Sequence, residues 1–146
     1  MDIATYFTDH WINIEEDRVE RYERMFQWRE SQLEQLAPAS IETGHHVLDF
    51  GCGPGFFALA LADIVGKQGR VYGTDINERF ISDATRRADD RENISFHHLT
   101  DHLLPFEAAS LDRVLAKNVL EYVPDVTLTL EEMYRVLAPG GRIHVL

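Results

Sequence analysis

The residues best equipped for chemistry lie in one short stretch, Val47-Leu48-Asp49-Phe50-Gly51-Cys52-Gly53-Pro54-Gly55. An apolar run ends at an acid, and glycines then follow at alternate positions, Gly51, Gly53 and Gly55. Glycine lets a backbone turn tightly and come close to a ligand with no β-carbon in the way. The helix predicted from Phe56 would aim unpaired N–H groups and a positive dipole end at whatever lies there. A dinucleotide fingerprint, G-x-G-x-x-G, would need glycine at Phe56, so the spacing speaks against NAD.

A second acid, Asp75, closes the run Tyr72-Gly73-Thr74-Asp75-Ile76, 20 residues beyond Gly55. An acid so placed can accept both hydroxyls of a ribose while Ile76 packs on an adenine face. It can also do no more than cap the next helix. Asp101, in Thr100-Asp101-His102-Leu103-Leu104-Pro105-Phe106, is the third acid to follow an apolar run. By itself it reads as a solvated turn residue.

The elements that must position these residues alternate in type. His46 to Phe50, Arg70 to Thr74, Ile94 to His98, Leu111 to Ala116 and Arg142 to Leu146 read as strands. Phe56 to Val65, stopped by Gly66, reads as a helix. Another starts at the N-cap Asn77 and turns Phe80, Ile81, Ala84 and Ala88 inward. A third starts at Asp125, carries Leu130, Met133, Tyr134 and Leu137 on one face, and ends at Pro139-Gly140-Gly141. Strands alternating with helices imply an α/β fold, a doubly wound parallel sheet with right-handed crossovers. Ligands of such sheets bind beyond the carboxyl ends of the strands, where all three acids fall. Before Pro38 the chain reads as helix, with Val19, Tyr22, Phe26, Leu33 and Leu36 along one face.

In order and spacing, these motifs resemble the Rossmann-like (class I) S-adenosylmethionine-dependent methyltransferases, in particular those that methylate small molecules. The G-x-G-x-G loop behind Asp49 resembles the family's first motif. The resemblance continues through Asp75, Asp101 with its Leu-Pro-Phe stretch, and Ser110 to Leu115. It takes in Asn118-Val119-Leu120-Glu121-Tyr122-Val123-Pro124-Asp125 and Arg135 to Arg142, and so covers roughly residues 40–146. It implies a strand order 3-2-1-4-5 as far as the chain runs, with an N-terminal helical lid. Residues 1–40 would be the helical segment packing on the domain and 41–146 the cofactor-binding domain, breaking off inside strand five.

The cofactor implied is S-adenosylmethionine, with S-adenosylhomocysteine as product. The residues expected to hold it are Asp49, Gly51, Cys52, Gly53, Gly55, Asp75, Ile76, Asp101, His102 and Asn118. Asp49 would hold the amino group, Gly51 and Gly53 would admit the methionine portion, and the backbone at Lys117 and Asn118 would close over it. Asp101 would accept from the adenine amino group. Acids at three strand ends suit a sulfonium ligand better than a pyrophosphate. Methyl transfer is an in-line displacement that needs alignment and dryness, so no catalytic triad is expected. Tyr6, Trp11, Glu121 and Tyr122 are the candidates for touching a small-molecule acceptor. The alternative readings are a non-catalytic methyltransferase-like subunit and, further off, an NAD-linked oxidoreductase.

Composition narrows the partners. With 25 acidic against 14 basic residues, the formal charge is -11. A surface of that sign repels nucleic-acid backbones and anionic lipid. The single cysteine, Cys52, rules out an internal disulfide and fits the cytoplasm. The longest apolar stretch, Phe56 to Val65, is too short to span a bilayer. His97, His98 and His102 cluster near Asp101, but alternation sends the first two to opposite faces, so no metal site is expected. An apolar edge at Ile143 to Leu146 invites a further strand, a homodimer or another partner.

Overall fold

Side chains of a strand alternate between the two faces of its sheet. Val47 and Leu48 are adjacent and both fully buried, and they enter different cores, one on each face. Both faces are therefore covered, which explains why the strand is apolar throughout and not at every second position.

The computed structural model describes residues 3–146, with side chains from Thr8 onward. Among these, β1 (His46–Phe50), β2 (Arg70–Asp75), β3 (Ile94–His98), β4 (Leu111–Ala116) and β5 (Leu137–Val145) form one parallel sheet. Its order is β3-β2-β1-β4-β5, the Rossmann-like order expected. The winding reverses between β1 and β4, so their carboxyl ends flank the natural crevice.

One core packs α4 (Phe56–Val65) against the sheet through Phe57, Ala58, Leu61 and Val65, beside Val47 and Val71. The other packs Met133 and Val136 of α6 (Val126–Val136) against Leu48, Leu111 and Val114. Between β2 and β3 lies α5 (Glu78–Ala88), with Phe80, Ala84 and Ala88 buried. Both expected N-caps form. The side chain of Asn77 accepts from the Phe80 N–H at 2.9 Å, and that of Asp125 from the Leu128 N–H at 3.0 Å.

Three expectations need correction. The N-terminal segment is not one helix but α1 (Ile3–Ile12), α2 (Glu16–Met25) and a single turn, α3 (Leu33–Leu36), flanked by 3-10 turns. The break lets Trp28 leave the helical path and pack on Phe57, ring centres 5.5 Å apart. On α6 the buried face is Thr129, Met133 and Val136, whereas Leu130 and Tyr134 point outward, Tyr134 with 76% of its surface exposed. Met133 and Leu137 of the stripe read in the sequence do meet the core, so the buried face is turned from that stripe toward Thr129 and Val136 and not reversed. Pro139-Gly140-Gly141 does not precede the fifth strand but lies within it, beside a register shift between Leu111 and Arg113. An edge strand tolerates proline there, because one side of it owes no hydrogen bonds to a neighbour.

Candidate functional site

The glycine loop after β1 is wired to β2. Gly51 and Cys52 both donate their N–H to the Thr74 carbonyl, at 2.8 and 2.9 Å. The N–H of Gly53 goes to Oδ2 of Asp75 at 2.8 Å, and that of Gly55 to the Cys52 carbonyl at 3.1 Å. Pro54 has none to give. The loop thus spends its donors on the protein and presents bare main chain, not an anion nest. A pyrophosphate would meet few donors here and two acids.

Each glycine has a separate reason. All three hold left-handed φ, 72° at Gly51, 52° at Gly53 and 88° at Gly55. A β-carbon on Gly51 would collide with Val119, and one on Gly55 with Ala84 and Phe96. At Gly53 the nearest atom would be the Phe26 ring, 3.9 Å away, so this glycine is the one that leaves open space. Arg87 holds the loop from outside. It donates to the Pro54 carbonyl at 2.9 Å, pairs with Glu23 at 2.5 Å and lies 4.6 Å over the Phe56 ring.

A cavity of about 160 Å³ opens over this loop, large against the 10–15 Å³ or so that admits one water. Asp49, Gly51, Cys52, Gly53, Asp75, Ile76 and Asn118 all line it. Seven of the ten residues expected at a cofactor are therefore brought together. Gly55 lies just behind the wall, at the N-cap of α4. Asp101 and His102 are exposed and stand outside the wall, and Asp101 accepts instead from the Leu103 N–H at 2.7 Å.

Asp49 is the centre of the site. It is 1% exposed, where partial burial was expected, and its Oδ2 has no hydrogen-bond partner among the described residues. The hydroxyl of Thr74, also in the wall, is likewise buried without one. Burial, then the nearby charge of Asp75, lifts the Asp49 pKa from 3.8 to about 7, against a smaller pull downward from Lys117. Burial also raises Asp75, partly offset by its hydrogen bonds from Asn77 and Gly53. The Cys52 thiol is pushed well up by burial, so it is a small packing group and not a nucleophile.

Helices α1 and α2 cover the opening. Thr8, Trp11 and Phe26 line the cavity from that side. The Asn77 amide donates to the Trp11 carbonyl at 2.8 Å, and the Thr8 hydroxyl to the Tyr122 carbonyl at 2.6 Å. Trp11 meets Tyr122 with ring centres 5.4 Å apart and Tyr22 at 5.1 Å. Of the expected acceptor contacts, Trp11 and Tyr122 reach the cavity, Glu121 is exposed outside it, and the Tyr6 side chain lies outside the described residues.

Sequence reasoning missed Thr74 and Phe26 as parts of the wall, and expected only the backbone of Lys117 there, not its side chain. For Thr74 and Lys117 a signal existed, since each stands at the carboxyl end of an inner strand. Among the described residues no group of three or more His, Cys, Asp or Glu is placed to hold a metal. His97 pairs with the Ser95 hydroxyl and His98 with the Ile76 carbonyl. No described helix is long and apolar enough to cross a membrane.

Fold and site together define a Rossmann-like α/β protein with an acid-walled cleft where the sheet reverses its winding. The methyltransferase-domain family model matches residues 41–146, and the chain belongs to that family. It is 32% identical over 124 residues to a demethylmenaquinone methyltransferase of Oceanobacillus iheyensis, covering 84% of this chain and 51% of the relative. The chain spans about half the length of the curated relatives it matches. An arsenic(III) S-adenosylmethionine methyltransferase of Chlamydomonas reinhardtii superposes with a TM-score of 0.67 at 36% identity, over 74% of this chain and 40% of that one. A SAM-dependent methyltransferase of Aquifex aeolicus shares the fold, with a TM-score of 0.75 at 21% identity over 87% and 69% of the two chains.

Proposed function

We propose that this chain binds S-adenosylmethionine in the cleft over the glycine loop and serves transfer of its methyl group to a small organic acceptor. The observation that carries the reading is the buried, unpartnered Oδ2 of Asp49, set beside a loop whose own donors are spent. A buried carboxyl with no partner costs free energy. A ligand ammonium placed against it would restore the carboxylate and remove that cost.

The cofactor supplies a methyl group on a positive sulfonium, a good leaving group for in-line displacement. The protein's task is then binding, alignment and exclusion of water. Asp49 would take the ammonium, and Gly51, Cys52 and Gly53 would offer flat main chain to the methionine portion. Asp75 keeps lone pairs for ribose hydroxyls while accepting from Gly53 and Asn77, each at 2.8 Å. Ile76 would pack on the adenine face, and Asn118, held at φ 51°, would close the far side. Asp101 and His102 enter only as rim residues beyond β3.

Trp11, Phe26 and Tyr122 give the acceptor side an aromatic wall. That wall favours a flat apolar ring, the kind of acceptor that the name demethylmenaquinone methyltransferase gives to relatives of the chain. The open edge of β5, with Val145 exposed, is where a second copy or another partner would add a strand. A cytoplasmic setting, in which Cys52 stays reduced, belongs to the same proposal.

Calorimetry with S-adenosylhomocysteine and with NAD tests the cofactor directly. Roughly micromolar binding of the first and none of the second is expected. Tight NAD binding with no binding of S-adenosylhomocysteine would overturn the reading.

A further inference from the structure

The cleft holds one basic side chain among the described residues of its wall, Lys117. It follows the last residue of β4, so the strand itself carries it to the mouth of the crevice. Its ammonium sits 5.3 Å over the ring of Phe57, in the first turn of α4 and beside the glycine loop. No described carboxylate lies within ion-pair distance of it, and Asp49 acts on it only from further off.

This placement is costly without a ligand. Half-burial lowers the Lys117 pKa, so the fold strips water from an ammonium and returns one aromatic face. Asp49 is in the same position with the opposite sign, buried and unpartnered in the same wall. A cavity whose wall holds a buried carboxyl and a half-buried ammonium, neither in an ion pair, is complementary to a zwitterion. The positive end of α4 adds to the field on the Lys117 side.

We propose that Lys117 recognises the carboxylate of the cofactor's amino-acid end, forming with Asp49 a clamp of two opposite charges. The inference rests on the cofactor reading above and deepens it. It predicts that affinity depends on the amino-acid end of the ligand, and that Lys117 matters only through that end.

The experiment compares S-adenosylhomocysteine with 5′-methylthioadenosine, which has the adenosyl group but no amino-acid end. Binding of each is measured by calorimetry to the full chain and to the K117M and K117R variants, with circular dichroism melts to confirm folding. K117M keeps the apolar stem and removes the charge. It should weaken S-adenosylhomocysteine by about 10- to 100-fold and leave 5′-methylthioadenosine within about twofold, while K117R recovers most of the loss. Equal weakening of both ligands would mean a structural role and would overturn the clamp, as would unchanged binding of S-adenosylhomocysteine. A wild-type chain that bound the two ligands equally well would sink the clamp and leave the cofactor reading standing. A wild-type chain that bound neither would sink both.

Discussion

Replacing Asp49 by asparagine should flatten the pH dependence of stability and abolish tight cofactor binding. In the folded chain the Asp49 carboxyl keeps its proton to about pH 7, whereas unfolded it ionises near 3.8. Between those values the folded state binds more protons, so stability falls as pH rises through the window and the full penalty is present above it. A shift of about three units corresponds to roughly 4 kcal/mol. Between about pH 5.5 and pH 8 the portion lost is roughly 2 kcal/mol. The amide introduced by D49N is neutral at every pH, so the variant should lack this slope, while groups that do not feel the Asp49 charge contribute alike to both proteins. Urea unfolding followed by circular dichroism at the two pH values measures the difference. The same proton governs ligand binding, because an ammonium needs the ionised form. Affinity of the wild type for S-adenosylhomocysteine should therefore rise about tenfold from pH 6 to pH 8, and D49N should bind at least that much more weakly at pH 8. An identical pH slope in wild type and D49N, or undiminished binding by the variant, would refute the assignment of the buried carboxyl.

Two further outcomes are expected. D75N weakens the acceptor for both the Gly53 N–H and a ribose, and should lower affinity for S-adenosylhomocysteine and 5′-methylthioadenosine alike by about 10- to 100-fold in calorimetry. N77A removes the cap of α5 and the amide that holds the end of α1, and should cost roughly 1–2 kcal/mol in urea unfolding.

Much of the fold was legible because its signals are local. A cap needs only the three residues after it, which is why Asn77 and Asp125 could be read directly. The glycine spacing and the strand ends placed seven of ten expected cofactor residues in one wall, because a parallel sheet gathers its carboxyl ends on one side. Other features depend on what lies across from a residue. The stripe from Leu130 to Leu137 is a sound helical pattern, and Met133 and Leu137 do face the core, but Thr129 and Val136 take the places expected of Leu130 and Tyr134. Trp28 draws the N-terminal segment out of a continuous helix because Phe57, distant in sequence, offers a buried surface.

The amino-acid order alone determined the βα alternation, the glycine turn and the acids at the strand ends, since each follows from backbone freedom and periodicity within a few residues. Only the tertiary structure decided the charge state of those acids and the wall they share. Whether Asp49 ionises near 4 or near 7 depends on how completely Thr74, Asp75 and Lys117 replace water around it. Solvation and field at a point are set by every chain segment that converges there, and convergence is a property of the fold.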